Sequence, residues 1–525
     1  MKPAQKCNTL TKANRKKLVT RSTLGVALVA LAVTALVVDP VVLIAKYQLK
    51  VTPGTEMYRM LTSEIEGAYV SAYLFNISNA EAFLSGADSR LRVHEVGPFT
   101  YQEKRYNTHF EVDEKAQVLR YRPFINVTFM PEMSVAEPAD VNVTVGNTAL
   151  LAIATAMSSH PFWSQLALNL LTRRYKSRAV VTLPVHDLLW GHHEPLLAFG
   201  HKLMPGWINF EQLGLLDRLY DNTREYQLEL SLEDQTKFQV RRVNGHAGLT
   251  AWSYNDPNKR SRCNTFEDAY EGFSYPAGLT PERPIRLYRN VFCRMLEVDF
   301  SGTKTLDYGP ELYVYKLSNR TFTKNPDTEC LCSAIGCKDG LSDLSPCFYS
   351  LPVMMSNAHF YGAPAEVYAR IDGIAPDEQK HGGVFAIDQK LGSALQTSMT
   401  FQLNVPVADV TYNKEARSFA NITVPIAYFK VTQPEVPDHV KTLFWLVYVL
   451  GPYAVYAVAA GLAAAGLGLL ATAACLLSTP MPLTKQAIAR VQVHCELPLI
   501  KHAHKQTLLS DRARQYDRGE TGVRE

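Results

Sequence analysis

His192-His193-Glu194, directly after Leu188-Leu189-Trp190-Gly191, puts two imidazoles beside a carboxylate, the side-chain types of a metal-assisted hydrolase. The spacing does not suit that chemistry. Two histidines hold a metal from one helical face when they stand four residues apart, and these are adjacent. The chain has no Gly-x-Ser-x-Gly elbow for a nucleophilic serine, no phosphate loop and no dinucleotide glycine pattern. A triad scattered along a chain leaves no local motif, and nothing in the residues points to one. The expectation is a non-enzyme with no catalytic residue, no metal and no cofactor.

Cysteine chemistry is better marked. Of nine cysteines, Cys7, Cys475 and Cys495 fall near the ends, whereas Cys263, Cys293, Cys330, Cys332, Cys337 and Cys347 are bunched in the middle. An even set in an oxidising compartment implies three disulfides, with fifteen pairings open. The rival is a zinc site on Cys330, Cys332, Cys337 and Cys347, which a cytosolic location would favour. Glycosylation acceptors stand at Asn76, Asn126, Asn142, Asn319 and Asn421, all in the same middle region. Around Asn126 and Asn421 apolar and polar residues alternate, which puts each asparagine on the polar face of a strand, with a glycan pointing outward.

The ends explain why that middle is set apart. Residues 1–22 carry Lys2, Lys6, Lys12, Arg15, Lys16, Lys17 and Arg21 without an acid, and Thr23 to Val38 is free of charge. With Asp39 near the outer interface, 20–45 is long enough to span a bilayer core of about 30 Å as an uncleaved anchor, rather than a shorter, cleaved signal peptide. Leu443 to Leu477 is also uncharged, and at about 1.5 Å per residue it exceeds one bilayer. Gly451-Pro452 offers a break, with Phe444, Trp445, Tyr448, Tyr453 and Tyr456 as an interfacial belt. Gly461, Ala465, Gly466 and Gly468 offer a close helix contact, including a homo-oligomer contact through this second span. The tail beyond 477 is basic on balance, so both tails are expected in the cytosol, in the plasma membrane or alternatively a lysosomal or endosomal one. The expected organisation is a cytosolic tail 1–19, a first span 20–45, a glycosylated and disulfide-bonded ectodomain 46–442, a second span 443–477 and a cytosolic tail 478–525. A net charge of +4 on 525 residues does not mark a nucleic-acid binder.

Within the ectodomain, period-two patterns at Tyr226 to Leu232, Leu312 to Leu317 and Met399 to Val405 predict a largely antiparallel sheet or barrel with one face buried. Asn147 to Arg178 reads instead as two helices, Ala149 to Ser158 and Pro161 to Arg173, with Pro161 at the first helical position. They are apolar nearly all round, so core packing and a ligand-facing surface both stand. Arg173, Arg174, Lys176 and Arg178 follow, as a solvated face or an anion-attracting patch.

The sequence resembles the class B scavenger receptor family, the group of the fatty-acid translocase, the high-density-lipoprotein receptor, the lysosomal integral membrane protein and the sensory neuron membrane proteins. The match is carried by Tyr73-Leu74-Phe75-Asn76-Ile77-Ser78-Asn79 with Glu81, and by Glu95-Val96-Gly97-Pro98-Phe99-Thr100-Tyr101. Asp187-Leu188-Leu189-Trp190-Gly191, Arg289 to Phe300, the cysteine order, Phe348-Tyr349-Ser350-Leu351-Pro352 and His359-Phe360 continue it. The resemblance implies an α+β fold: a large antiparallel β-barrel ectodomain with an apical helical bundle and an apolar tunnel, flanked by two transmembrane helices. It implies the pairs Cys263 with Cys330, Cys293 with Cys347 and Cys332 with Cys337. It places the ligand-binding apex at Phe162, Trp163, Arg173, Arg174 and Lys176, and makes Cys7 and Cys475 palmitoylation candidates. The implied function is binding of lipids, lipoproteins or lipid-carrier proteins and transfer of fatty acids, sterols or carotenoids to the bilayer. The alternatives are a lysosomal transport receptor for a protein cargo, for which Glu496-Leu497-Pro498-Leu499-Ile500 approaches a sorting signal, and a chemosensory co-receptor.

Overall fold

The computed structural model describes residues 12–203, 210, 212–223, 225–333, 336–348 and 350–478. Cys7, Cys495 and the basic tail lie outside the described residues. The chain divides into two compact units: Met1–Leu43 with Leu450–Glu525, and Ile44–Val449.

The first unit holds two helices long and apolar enough to cross a membrane, within the stretches Ala13–Val38 and Asp438–Ser478. They fit a two-pass membrane protein. The N-terminal helix Lys12–Val38 ends at Asp39, whose φ of 46° leaves the helical region. The Asp39 carboxylate then accepts from the Val42 N–H at 3.2 Å and caps a second helix, Pro40–Gln48, with proline at its first position. Toward the other end, Asp438–Trp445 runs through a π-helical turn at Leu446–Leu450 into Gly451–Ser478. Pro452 lacks an N–H, and the wider turn just before it absorbs the defect, so the expected break is a continuous helical path. The two long helices approach at glycines. A Cβ on Gly466 would stand 2.8 Å from the Gly25 carbonyl oxygen, and one on Gly25 would stand 2.9 Å from that of Gly466. Gly466 therefore serves a contact within the chain, while Gly461 and Gly468 have nothing within 4 Å.

The second unit is α+β, built on one sheet of 15 strands. Twelve form its continuous path: β1 (Ile65–Ile77), β2 (Leu91–Asp113), β3 (Val118–Phe129), β4 (Leu228–Ser231), β5 (Val240–Val243), β6 (Ala269–Tyr270), β7 (Ile285–Arg289), β8 (Arg294–Thr305), β9 (Glu311–Leu317), β10 (Val384–Asp388), β11 (Ala394–Pro406) and β12 (Thr423–Thr432). Across the sheet they run β6-β7-β8-β9-β10-β11-β12-β1-β2-β3-β4-β5. Each strand lies beside a sequence neighbour, and the first and last pair directly, with Tyr69 opposite Thr432. A bridge between Gln239, just before β5, and Tyr270 in β6 joins the remaining edges, so the sheet nearly closes. Closure leaves few unpaired edge groups. The chain enters β1 and leaves β12 at one end of the sheet, and the two helices expected at 149–173 pack near the other.

The one-face-buried expectation fails at β11. Met399 to Val405 is buried at every position, with Gln402 and Asn404 as inaccessible as Val405. The short strand Met354–Ser356, paired antiparallel alongside β11 at Gln402 to Asn404, and the turn Ala358–Phe360 after it together cover these polar residues. Gln402 accepts from the His359 N–H at 2.7 Å, and Asn404 donates to Ser356 Oγ at 3.0 Å. The polar residues alternate because they bond to that cover, not to water.

The cysteines pair as Cys263–Cys330, Cys293–Cys347 and Cys332–Cys337, with Cα separations of 6.0, 6.2 and 5.3 Å. Because the four zinc-candidate sulfurs are spread over three bonds, the zinc reading falls.

Candidate functional site

A two-stranded ribbon, Asn142–Gly146 with Val180–Pro184, carries the apical helices Thr148–Ser158 and Phe162–Arg174 between its strands. Asn147 starts the first helix: its Oδ1 accepts from the Leu150 N–H at 3.1 Å, while its amide donates to the Arg178 carbonyl at 2.9 Å and to Glu194 at 3.2 Å. Glu194 is 2% exposed. Its carboxylate also accepts from Ser177 Oγ and, at 2.9 Å, from the Leu197 N–H that opens the helix Pro195–Leu203. The residue that looked like a metal ligand thus ties the base of the apical hairpin together. His192 and His193 lie in a short strand against Leu213 and Gln212, and burial lowers the His192 pKa. Among the described residues no group of three or more metal-ligating side chains converges.

The two apical helices divide the readings held open for them. The first is core: Ala149, Leu150, Leu151, Ala152 and Ala154 are buried. Thr155 Oγ1 accepts from the Ala408 N–H at 3.3 Å, and the Tyr412 hydroxyl donates to the Ala154 carbonyl at 2.6 Å. The second buries only Leu168 and Thr172. Its helix begins one residue later than expected, because Pro161 stays extended at ψ 152° and acts as the cap. Phe162 and Trp163, in edge contact at 5.5 Å, are 67% and 75% exposed, and Leu166 and Leu170 are exposed with them.

Phe162, Leu166 and Leu170 recur every four residues, which makes one stripe along the helix. Leu166 and Leu170 were not singled out from the sequence, although that spacing was there to find. The stripe runs into Arg173 and Arg174 in the last turn, where the negative end of the helix dipole favours cations. Lys176 follows at φ 53°. Arg178 pairs with Glu415 at 3.1 Å, whereas Arg173, Arg174 and Lys176 are exposed without an acidic partner among the described residues.

Behind the first helix lies an apolar cavity of about 50 Å³, bordered by Ala149, Ala152, Leu197, Leu215, Leu403 and Ile426. That volume holds about one or two waters, not an acyl chain.

The motif residues gather lower in the unit. Glu95 accepts from His359 Nε2 at 3.0 Å and from the Tyr428 hydroxyl at 2.8 Å, and Tyr428 stacks on Tyr73 at 4.5 Å. Burial works to raise the Glu95 pKa, but the bonds from His359 and Tyr428 outweigh it and hold the carboxyl below its ordinary value. Phe75 packs edge-on against His359 at 5.1 Å. Gly97, at φ 151°, brings the chain so close that a Cβ would stand 2.7 Å from the Ala72 carbonyl oxygen. Trp190 Nε1 donates to the Tyr101 hydroxyl at 3.1 Å. These segments are motifs because they lock one another.

Comparison with known proteins agrees with this architecture. Lysosome membrane protein 2 of Rattus norvegicus is 25% identical over 380 residues, covering 71% of this chain and 76% of the relative. Scavenger receptor class B member 1 of Sus scrofa is 22% identical over 415 residues, covering 77% and 78%. The family model of the CD36 family matches residues 23–477. With most of its length matched, the chain belongs to the CD36 family, the class B scavenger receptors its motifs resemble.

Proposed function

We propose that this receptor docks lipid or lipoprotein particles on the second apical helix and passes lipid from them to the bilayer through an apolar tunnel. Its family is one of receptors, not enzymes. The observation that carries the reading is the exposed stripe of Phe162, Trp163, Leu166 and Leu170 leading into unpaired Arg173, Arg174 and Lys176. Large exposed apolar patches are rare on soluble surfaces and mark interaction sites. An apolar stripe beside cations suits a particle with acyl chains and anionic headgroups at its surface. Lipid moving from water into an apolar path gains about 0.8 kcal/mol per methylene, so transfer needs no chemical step.

The test is particle binding and lipid uptake by cells expressing the full chain. Phe162→Ser/Trp163→Ser is expected to weaken particle binding about tenfold or more, since each buried aromatic contributes about 1.5–3 kcal/mol. Arg173→Glu/Arg174→Glu is expected to slow capture and to remove its salt dependence. Unchanged binding and uptake in both variants would remove the apex from the reading. The relatives called lysosome membrane protein 2 favour a second reading, residence in a lysosomal or endosomal membrane with a protein cargo at the same apex. Imaging Leu499→Ala/Ile500→Ala decides between them: a shift toward the cell surface supports lysosomal sorting, and an unchanged distribution counts against it.

A further inference from the structure

Arg289, the last residue of β7, is half-buried, and its guanidinium has no hydrogen bond or ion pair among the described residues. The neighbouring arginines each find an acceptor. Arg286 donates to the carbonyls of Arg262, Thr265 and Glu267, Arg294 to the carbonyl of Asp343, and Arg283 to the Tyr270 hydroxyl. The acids nearby are also committed. Glu271 holds Arg105 at 2.7 Å and the Tyr121 hydroxyl at 2.6 Å, and Glu103 accepts from the Tyr220 hydroxyl at 2.6 Å. Arg289 is left over.

A second orphan faces the same spot. Tyr275 is 2% exposed, and its hydroxyl has no partner among the described residues. The two converge on Gly272: from the position its Cβ would occupy, Arg289 Nη2 is 3.3 Å away and the Tyr275 hydroxyl 3.7 Å. Gly272 has φ 102°, a conformation that glycine adopts freely, so the gap is built into the backbone. An apolar wall starts at once, with Leu287 Cδ2 3.5 Å from that point. Leu287 and Ile285, buried on the face of β7 that Arg289 shares, continue it. Neither the Tyr275 hydroxyl nor the Arg289 guanidinium has an acceptor from the described residues, and an anionic oxygen at this point would serve both.

We propose that Arg289 and Tyr275, around the gap at Gly272, form a seat for a carboxylate, and that it takes the head of a long-chain fatty acid. The carboxylate accepts from the planar N–H groups of Arg289 and from the Tyr275 hydroxyl, and the acyl chain follows the apolar wall. This seat is separate from the apical stripe, and its lipid occupant rests on the lipid-binding reading above.

The full chain in lipid nanodiscs, labelled with a photoreactive palmitate, tests it, with labelling read on the peptide containing Gly272 to Arg289. Palmitate is expected to compete about tenfold or more better than methyl palmitate, the size of a lost charged hydrogen bond. Arg289→Gln should abolish that preference, and Tyr275→Phe should reduce it several-fold with the ring retained. A wild-type protein that binds the ester as well as the acid overturns the seat, as does Arg289→Gln keeping the preference. Acetate competing as well as palmitate overturns the fatty-acid assignment. Should Arg289→Gln melt early, Tyr275→Phe decides. If wild type takes neither palmitate nor its ester, the lipid reading itself fails and the seat falls with it.

Discussion

His359 and His381 stack ring on ring, centroids 4.6 Å apart and planes 15° apart. Both are buried, and each Nδ1 accepts a backbone N–H, from Ala375 and Asp377 respectively, at 3.1 Å. A proton on the His381 Nδ1 would meet a donor. Burial, and then the neighbouring His359, push the His381 pKa down to about 4, against the weaker opposite pull of Glu95 and Asp377; Lys380 adds to the lowering. The groups around the pair are thus Glu95, Asp377, Lys380 and the Tyr428 ring.

The folded pKa lies below the ordinary value of 6.5, so on acidification the unfolded chain takes up this proton first. The stabilisation is complete above about pH 6.5 and lost as the pH falls toward 4. Glu95, held below its ordinary value, adds a loss in the same direction at the acid end of that range. The melting temperature should therefore drop between pH 7 and 4.5, and His381→Gln should flatten the drop. Equal slopes for the two proteins would show that the histidine pair is not responsible.

Glu194→Ala should loosen the apex without touching its surface. Ser177 Oγ and the Leu197 N–H lose their acceptor, and Asn147 Nδ2 is left with the Arg178 carbonyl. Each buried donor left unsatisfied costs about 1–3 kcal/mol. The basic run after the second helix would then be the first trypsin site, and cleavage after Arg173, Arg174 or Lys176 should be about tenfold or more faster than in wild type. Identical proteolysis would mean that the hairpin is held by something else.

Glu194 also shows where the sequence could and could not be read. The two membrane-length helices and the crosslinked middle were legible, because apolar length and cysteine grouping are each properties of single segments. The strands at Leu312 to Leu317 and Met399 to Val405 were legible for the same reason, since alternation is local. What alternation cannot reveal is the cover. Gln402 and Asn404 read as solvent-facing, yet they bond to a segment arriving from residues 354–360. Glu194 read as chemistry because its neighbours are histidines, whereas its partners come from Asn147 and Ser177. Gly466 read as a close-contact glycine without a named partner, and that partner, Gly25, is more than 400 residues away in the chain. The apical stripe was half legible: Phe162, Leu166 and Leu170 carry the spacing, but which of two apolar helices is buried depends on Tyr412 and Ala408 packing against the first.

Glycan occupancy should divide the five acceptors. Asn126, Asn142, Asn319 and Asn421 are exposed, Asn126 on β3 and Asn421 in a turn at φ 60° just before β12. Asn76 is half-buried, and its amide is engaged at both ends: Oδ1 accepts from the Thr144 N–H at 2.7 Å, and Nδ2 meets His94 Nε2 at 3.1 Å. A glycan on that nitrogen has to displace His94. Glycosidase treatment of Asn→Gln variants should show a mobility loss at each of the four exposed sites and none for Asn76→Gln. A glycopeptide carrying Asn76 would refute this.

The three disulfides should differ in weight. In the chain-entropy account a crosslink stabilises by restricting the unfolded chain, more so for longer loops: about 4 kcal/mol for separations of 67 and 54 residues and about 2 kcal/mol for 5. Packing adds to the contrast. Cys263 is fully buried against a cluster that includes Trp252 and Leu331, and the Trp252 indole donates to the Cys293 carbonyl at 2.8 Å. Both long crosslinks thus anchor core, while the short one closes a surface turn. Cys332→Ser/Cys337→Ser should therefore fold and be exported with a modest fall in melting temperature. Cys263→Ser/Cys330→Ser and Cys293→Ser/Cys347→Ser should be retained in the cell or melt far earlier. If the short-loop variant proved the least stable of the three, neither loop length nor burial would be setting the order, and the Cys332–Cys337 turn would have to hold a contact that other parts of the unit depend on.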